Sequence, residues 1–243
     1  MNEATAAAAR DLAPTGRVRV TINLGNTVLA QRSADGALGG VSVDLARELA
    51  QRLGAEAELF PFDTAGRAFE ALRSGTCDVG FLAIDPARAE ALDFTAPYVL
   101  IEGTYLVREA SPLRRVEDVD ADGVRIAAGK STAYDLHLSR TLKRAQLVHA
   151  PSSQAAVELF LAGETDAVAG VRQPLAAVAA QKPGFRVMEG RFLSIEQAMA
   201  LPRGRTAGAA YLRRFVEEAK ASGFVAEALA RSGQGDAAVA PPA

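Results

Sequence analysis

Two segments of this chain follow one pattern at a constant offset of 88 residues, and this internal repeat constrains the fold more than any other feature. The segments read FEALRSGTCDVGFLAIDPAR from Phe69 and VELFLAGETDAVAGVRQPLA from Val157. Each reads as a helix, a glycine stop, an aspartate, a buried strand and a helix that begins at a proline. The repeat predicts two similarly built lobes whose strand ends and helix starts face a shared cleft. Alternatively, the order of helix, glycine and strand recurs in α/β proteins without any duplication.

The chain as a whole alternates short apolar runs with helical patterns, as in RVRVTIN, VSVDLARELAQRLG, AEAELF and AGRAFEALRSG. This alternation is typical of an α/β protein with a largely parallel sheet. In the first helical pattern Leu45, Leu49 and Leu53 form one apolar face. Ser42 is the expected N-cap of this helix, and Gly54 is expected to end it. The predicted fold class is therefore α/β.

Charge and rare residues exclude several classes of function. The 27 basic and 29 acidic residues give a net charge of −2, which offers no field for nucleic acid or for an anionic membrane. Cys77 is the single cysteine, so no intrachain disulfide forms, and its apolar surroundings predict a buried thiol and not a nucleophile. His137 and His149 are the two histidines, and no CxxC or HxxxH accompanies them. We therefore expect neither a metal site nor a cofactor.

The termini and the apolar runs bear on location. No apolar run is long enough to span a bilayer, which predicts a soluble chain without direct membrane insertion. The start MNEATAAAARDLAPTG lacks the basic residues and the leucine-rich core of a signal peptide. Either the chain is cytoplasmic or a signal has been removed. The small, proline-containing end GQGDAAVAPPA predicts disorder.

The stretch GVRIAAGKSTAYD contains a Gly-Lys-Ser-Thr sequence that a phosphate-binding P-loop would also contain. In a P-loop four residues separate the two glycines, and the first glycine ends a buried strand. Here five residues separate Gly123 and Gly129, and Gly123 precedes the apolar run. This spacing opposes a nucleotide enzyme. What remains is a strand, a turn and a helix from Ala133, an arrangement suited to an anion.

A second candidate anion site lies in AIDPARAEALDFTAPY. Asp85 fits an N-cap, Pro86 the first helical position and Arg88 the third. A cation in a first turn opposes the helix dipole, and an anionic ligand would offset that cost. Arg88 could grip a carboxylate with its planar guanidinium. The alternative is a salt bridge from Arg88 to Glu90 or Asp93.

These segments together make the chain recognisable. DGALGGVSVDLARELAQRLG, FEALRSGTCDVGFLAIDPARAEALDFTAPY, the GKST turn and ELFLAGETDAVAG resemble the family 3 extracellular solute-binding proteins of ABC transporters, from about Arg17 to Gly233. The resemblance implies a two-lobed type II periplasmic-binding-protein fold with a ligand cleft between the lobes. It also implies a periplasmic monomer whose partners are a small carboxylate ligand and the membrane subunits of the transporter.

In that family the chain crosses twice between the lobes. The resemblance divides this chain into an N-terminal extension at 1–16, lobe 1 at 17–98 and 200–233, lobe 2 at 105–192, inter-lobe crossings at 99–104 and 193–199, and a disordered tail at 234–243. The C-terminal helices then return to lobe 1.

The resemblance also assigns roles to individual residues. Arg88 matches the arginine that binds the α-carboxylate of the ligand. Ser131, with Thr132 beside it, matches the hydroxyl position at the helix start in lobe 2 that binds the same carboxylate. Ala83 lies where many members have a hydroxyl or a backbone carbonyl contact, so only its backbone can serve.

Two departures from the family pattern concern the α-ammonium of an amino acid ligand. Amino acid binders place an acid shortly after the DAVAG strand, where this chain has Val171 and Arg172, and an aromatic in the first loop, where it has Asn23 and Asn26. A buried ammonium without a counter-charge is costly, which predicts a small organic anion without an amino group. A dicarboxylate fits if Arg172 turns inward and not toward solvent. If an ammonium is bound after all, Asp85 or Asn23 would be its acceptor.

The leading functional hypothesis is a non-catalytic receptor that closes on its solute. A second is an enzyme on the same scaffold, because a cyclohexadienyl dehydratase resembles these binders. Its acid or base would be Asp85 or Glu102, for which an N-cap and a solvent-exposed ion pair are the alternatives. The third, a nucleotide enzyme, is opposed by the glycine spacing.

Overall fold

The computed structural model describes residues 3–243, which divide into two compact units. Unit 1 contains the chain up to Leu100 together with Glu196–Ala243, and unit 2 contains Ile101–Ile195. Both units combine helices with strands, so the predicted α/β class is confirmed.

The helices and strands follow in chain order. The helices are α1 (Glu3–Leu12), α2 (Val41–Leu53), α3 (Ala65–Arg73), α4 (Pro86–Ala89), α5 (Ala133–Thr141), α6 (Ser153–Leu161), α7 (Arg172–Gln181), α8 (Thr206–Ala221) and α9 (Phe224–Arg231), with one 3₁₀ turn at Val116–Val119. The strands are β1 (Arg17–Asn23), β2 (Gln31–Arg32), β3 (Leu38–Gly39), β4 (Glu56–Phe62), β5 (Val79–Ala83), β6 (Leu92–Arg108), β7 (Arg125–Gly129), β8 (Gln146–Ala150), β9 (Ala167–Val171), β10 (Phe185–Val187), β11 (Leu193–Pro202) and β12 (Ala238–Val239). The chain passes between the units along β6 and β11. Within residues 3–243 no helix combines the length and the apolar character needed to cross a membrane.

Each unit builds its sheet in the same strand order. In unit 1, β4, β1 and β5 are parallel neighbours, and β11 pairs antiparallel with β5. In unit 2, β8, β7 and β9 are parallel neighbours, and β6 pairs antiparallel with β9. Neighbouring parallel strands end at the same edge of a sheet, which is where open α/β sheets bind ligands. The loops after β1 and β5 therefore share an edge in unit 1, as do the loops after β7 and β9 in unit 2.

The internal repeat of the sequence is also a repeat of structure. Thr64 and Ser152 are the N-caps of α3 and α6, and each side chain accepts a hydrogen bond from a backbone N–H three residues on. Gly75 and Gly163 follow these helices with φ of 75° and 88°. Both values lie in the left-handed region that glycine adopts at little cost. The same offset of 88 separates β5 from β9.

Equivalent positions of the repeat also form the two cores. Ala68 and Leu72 lie in the core of unit 1, and Ala156 and Phe160 take the same places in the core of unit 2. Cys77 is fully buried in the first of these cores. Burial raises the pKa of its thiol to about 11, so the thiol stays protonated at neutral pH. The predicted burial of the cysteine is confirmed.

Both ends of the chain pack on unit 1. Ala8 and Leu12 of α1 are fully buried, and the Oδ2 atom of Asp11 accepts a hydrogen bond from the backbone N–H of Gly208 at 2.8 Å. Because Gly208 lies in the first turn of α8, Asp11 caps that helix. Residues 1–16, expected to be an extension, therefore carry a helix that belongs to unit 1 over the described part.

The structure corrects the prediction of a disordered tail at 234–243. In place of the predicted disorder, Ala238 and Val239 form β12 and pair with β6. The Nζ atom of Lys220 donates to the carbonyl oxygens of Pro97 and Pro241 at 3.2 and 2.8 Å. Side-chain composition misses this order because backbone hydrogen bonds fix a two-residue strand whatever its side chains are.

The N-cap of α2 is a second correction. Gly40 is the N-cap, whereas Ser42 lies inside the helix with its hydroxyl 3.3 Å from the hydroxyl of Tyr98. Gly40 has φ of 106°, and a Cβ there would lie 2.5 Å from the carbonyl oxygen of Leu29. Glycine is required at this position, which overrides the capping preference of serine. The predicted end of α2 at Gly54 is confirmed, with φ of 66°.

Candidate functional site

The edge of unit 1 presents a buried arginine just after β5. As predicted, Asp85 is the N-cap of α4, Pro86 its first residue and Arg88 its third. The Oδ1 atom of Asp85 accepts a hydrogen bond from the backbone N–H of Ala87 at 2.9 Å. The side chain of Arg88 folds back, and its Nη1 atom donates to the carbonyl oxygen of Ala83 at 3.0 Å. The carbonyl that Ala83 was expected to offer to a ligand thus holds the arginine in place.

Arg88 is only 3% exposed, so it is not a surface charge. Burial lowers the pKa of its guanidinium to about 10, although the nearby charge of Asp85 acts in the opposite direction. The group remains charged at neutral pH, but it has lost most of its hydration. A desolvated cation of this kind gains strongly from an anion placed against it.

The loop after β1 reaches the same edge of unit 1. The side-chain oxygen of Asn23 accepts from the backbone N–H of Gly25 at 3.0 Å, and that of Asn26 accepts from Val28 at 3.2 Å. Both are Asx turns, in which the side chain shapes its own loop. The loop also passes close to the chain before α3, since a Cβ on Gly25 would lie 2.6 Å from the carbonyl oxygen of Asp63.

The Gly-Lys-Ser-Thr turn of unit 2 is closed by groups of the chain itself. Thr132 is the N-cap of α5, and its hydroxyl donates to the carbonyl oxygen of Gly129 at 2.8 Å and accepts from the backbone N–H of Asp135 at 3.2 Å. The backbone N–H of Ser131 donates to the Oδ2 atom of Asp135 at 2.7 Å. Its φ of 62° is the one positive value at a residue other than glycine among those the structure describes. A carboxylate of the chain therefore takes the place of an outside phosphate in this turn, consistent with the argument against a P-loop.

Asp135 and His149 are parts of this turn that the sequence reasoning missed. Asp135 is 4% exposed, and its Oδ1 atom lies 2.8 Å from the Nδ1 atom of His149 on β8. The spacing of Thr132 and Asp135 is a capping signal that the sequence does contain. The partnership with His149 leaves no local signal, because α5 and β8 come together only in the folded chain.

The end of β9 carries a different arrangement. Val171 is 8% exposed, and Arg172 begins α7. The Nε atom of Arg172 donates to the Oε2 atom of Glu102 at 2.5 Å. Its two other nitrogens donate to the carbonyl oxygens of Met188 and Gly190. Arg172 therefore neither extends into solvent nor offers an open fork to a second carboxylate, and a ligand could take it only by displacing these partners.

Glu102 completes a three-residue cluster in unit 2. Its Oε1 atom accepts from the Nη1 atom of Arg191 at 3.0 Å. The hydrogen bond from Arg172, followed by that from Arg191, holds the pKa of Glu102 below its ordinary value. Glu102 is therefore a carboxylate at neutral pH and a poor general acid.

Gln173, the residue after Arg172, is another residue that the sequence reasoning missed. Its carboxamide oxygen is inaccessible to solvent and has no donor among the residues that the structure describes. The signal in the sequence was the repeat, which places Gln173 at the position of Asp85.

The predicted site residues thus fall into two groups. Ala83, Asp85, Arg88, Asn23 and Asn26 share the edge of unit 1 formed by β1 and β5. The second group lies at the edge of unit 2 formed by β7 and β9 and contains Ser131, Thr132, Val171 and Arg172.

Known proteins resemble this chain over nearly all of its length. A model of the bacterial extracellular solute-binding proteins, family 3, matches residues 19–233. The virulence sensor protein BvgS of Bordetella pertussis is 31% identical over 135 residues, which are 55% of this chain and 11% of that protein. The matching part is thus a small fraction of the sensor.

Two solved structures show the same fold. AbpA, an amino acid ABC transporter substrate-binding protein from Streptococcus pneumoniae bound to L-arginine, is 19% identical with a TM-score of 0.79, and the match covers 92% of this chain and 97% of AbpA. The ancestral amino acid-binding protein AncCDT-1, a precursor of cyclohexadienyl dehydratase, is 22% identical with a TM-score of 0.76, with 90% and 96% covered. These likenesses confirm the predicted two-lobed type II periplasmic-binding class of fold. Because the family model matches most of its residues, the chain belongs to the bacterial extracellular solute-binding proteins, family 3.

Proposed function

We propose that this protein is the periplasmic solute receptor of an ABC transporter and that it binds a small carboxylate-bearing solute through Arg88. The observation that carries the proposal is the burial of Arg88, which is 3% exposed at the edge of the unit 1 sheet where β1 and β5 end. The resemblance to AbpA, a protein of an amino acid ABC transporter, supports the assignment to transport.

The chemistry of the guanidinium fits a carboxylate. Its planar fork can donate two parallel hydrogen bonds to the two oxygens of a carboxylate, and such charge-assisted bonds are strong away from water. Following the family pattern, we propose that Ser131 and Thr132 of unit 2 approach the same carboxylate. The hydroxyl of Thr132 also caps α5, so a ligand would share it with the helix.

The test is a set of arginine variants. A thermal-shift screen of amino acids and of mono- and dicarboxylic acids identifies a ligand, and calorimetry then measures its affinity. Arg88→Ala should weaken binding by about 2 to 5 kcal/mol, which corresponds to roughly 30-fold to several thousand-fold. Arg88→Lys keeps the positive charge but lacks the planar fork of the guanidinium. Its affinity should therefore lie between those of the wild type and Arg88→Ala.

Arg67→Ala is the matched control. Arg67 lies on α3 of the same unit, its side chain is 72% exposed, and its acidic neighbour Asp63 is 4.0 Å away. Affinity should be unchanged in this variant. Equal affinities for Arg88→Ala and Arg67→Ala would refute the proposal that Arg88 binds the carboxylate of the ligand.

A catalytic role is a weaker candidate. AncCDT-1 is described as a precursor of cyclohexadienyl dehydratase, so the scaffold itself does not decide between binding and catalysis. The two acids that could serve a dehydratase are committed elsewhere, Glu102 to two arginines and Asp85 to the cap of α4. We therefore propose a receptor without catalysis. Product formation from prephenate or arogenate would overturn this part of the proposal.

A role in sensing is favoured by one observation, the 31% identity with the virulence sensor protein BvgS. In that case the same solute binding would be reported to a signalling partner and not to a transporter. Uptake of the labelled solute by cells with and without the protein separates the two. Lost uptake supports transport, whereas unchanged uptake with a lost transcriptional response to the solute supports sensing.

A further inference from the structure

Gln173 presents a buried hydrogen-bond acceptor that no described residue satisfies. Leaving such an acceptor unpaired costs free energy, so buried polar atoms almost always have a partner. An atom in this state takes its donor from a buried water or from a bound ligand. A ligand N–H or O–H group can supply it.

The repeat gives Gln173 the position in unit 2 that Asp85 has in unit 1, three residues before Arg88. Gln173 follows β9 as Asp85 follows β5, at the offset of 88 that also relates the caps, glycines and cores of the two units. In unit 1 the oxygen of Asp85 is taken by the backbone N–H of Ala87, because that residue caps α4. In unit 2 the cap of α7 is Val171, which makes no side-chain bond, and the oxygen of Gln173 is not used in this way.

The charges beside Gln173 select the kind of donor. Its sequence neighbour Arg172 shares the carboxylate of Glu102 with Arg191, so the cluster holds two cations and one anion. An ammonium bound by Gln173 would meet a neutral acceptor in place of a carboxylate. A buried ammonium without a counter-charge is costly, whereas a hydroxyl pairs with an amide oxygen without that cost.

We propose that Gln173 is a specificity-determining residue that accepts a hydrogen bond from a hydroxyl of the ligand, so that the preferred solute is a hydroxy carboxylate and not the corresponding amino acid. This inference rests on the proposed function, since Arg88 supplies the partner of the carboxylate.

Matched trios of ligands test the inference. Each trio keeps one carbon skeleton and changes one group: lactate, L-alanine and propionate; 3-phenyllactate, L-phenylalanine and 3-phenylpropionate; argininic acid, L-arginine and 5-guanidinopentanoate. In the trio that binds, the hydroxy acid should bind about tenfold or more tightly than the analogue that lacks the hydroxyl, because that analogue leaves the amide oxygen unpaired.

Three variants assign the preference to Gln173. Gln173→Leu should reduce the preference for the hydroxy acid to less than about twofold, since the acceptor is gone. Gln173→Glu should shift the preference toward the amino acid by about tenfold, because a carboxylate can neutralise the ammonium. Gln181→Leu, at the exposed end of the same helix, should retain the wild-type preference.

The outcomes separate this inference from the proposed function. If the amino acid binds best and Gln173→Leu leaves the ranking unchanged, the inference is overturned while an effect of Arg88→Ala still supports the carboxylate receptor. If the hydroxy acid binds best in all variants, Gln173 is not its determinant, and the inference is likewise overturned. If no member of any trio binds, the inference is overturned, whereas the proposed carboxylate receptor stands as long as the thermal-shift screen finds another carboxylate whose binding is weakened by Arg88→Ala.

Discussion

The two units carry an arginine shortly after equivalent strands, and they treat its charge in opposite ways. After β5, Arg88 is 3% exposed, and burial brings its pKa down to about 10. After β9, the side chain of Arg172 is 30% exposed and lies 2.5 Å from Glu102. The strand order, caps and glycine turns are shared, so the backbone of the repeat does not decide where charge is offered to a ligand. That choice depends on a few side chains at the strand ends.

The aspartates of the repeat show the same divergence. Asp78 is fully buried and accepts from Arg19 at 2.7 Å and from Arg205 at 2.8 Å. Asp166 is exposed and accepts from the backbone N–H of Arg125 at 2.8 Å. One position of the repeat is thus a buried ionic centre in unit 1 and a surface turn in unit 2.

Among the predicted effects on stability, the largest difference in the free energy of unfolding should be that between substitutions of these two aspartates. Asp78→Asn leaves two guanidiniums without their carboxylate and should lower the free energy of unfolding by about 3 kcal/mol. Asp166→Asn keeps an acceptor at an exposed site and should cost about 1 kcal/mol or less. Urea unfolding followed by circular dichroism measures both. Losses of equal size would show that the two turns are energetically alike.

Glu102→Gln should have the next largest effect. Arg172 and Arg191 lose their common anion, but the carboxylate is 39% exposed, so we expect a loss of about 1 kcal/mol. Hydrogen exchange should increase in residues 101–108 of β6 and around residues 188–191, and it should stay unchanged in unit 1. Faster exchange spread over both units would contradict a local role.

The same variant should change the pH dependence of stability. Arg172, and then Arg191, hold the pKa of Glu102 below its ordinary value in the folded chain. A carboxyl with a lowered pKa stabilises the fold above its unfolded pKa, and this contribution is lost as the pH falls through the folded pKa. Between about pH 5 and pH 3 the wild type should therefore lose more stability than Glu102→Gln. If the free energies of unfolding of the two proteins change in parallel with pH, then Arg172 and Arg191 do not lower the pKa of Glu102 in solution.

The glycine turns should respond equally in the two units. Gly75→Ala and Gly163→Ala each place a Cβ on a residue with positive φ, which costs about 1 kcal/mol. A Cβ at Gly75 meets nothing within 4 Å, and one at Gly163 meets only the Nη2 atom of Arg108, at 3.4 Å. Urea midpoints that fall by the same amount would support equivalent turns. A much larger fall at one position would mean that its surroundings differ from those described.

Ser131 should give the smallest change in stability. Ser131→Gly relieves a positive φ but adds freedom to the unfolded chain, so we expect a net gain of a few tenths of a kcal/mol. Ser131→Ala keeps the Cβ and should show no gain. Thermal unfolding compares the two variants. A clear loss in Ser131→Gly would indicate that the hydroxyl contributes to the fold.

Local signals predicted much of this architecture. The alternation of runs, the repeat and the turn at Asp85 and Pro86 depend on residues close in sequence, and the structure shows them where they were expected. The pair of Arg172 and Glu102 joins residues 70 positions apart, and the pair of Asp135 and His149 joins α5 to β8. Such partnerships depend on which strands become neighbours, and that information is not contained in any one segment. The sequence therefore identified Arg88 as a candidate but could not show that Arg172 is already held.

The position of β12 has a consequence for labelling and force measurement. Val239 pairs with Val99, one residue before unit 1 ends at Leu100, and Lys220 ties the chain on either side of that pairing. A fluorophore, bead or fused domain attached after Ala243 is therefore coupled mechanically to β6 and not merely suspended from α9. Tension applied at that attachment would first load the contacts of Ala243 and Pro241 with α8 and then the pairing of β12 with β6, the strand that leads out of unit 1.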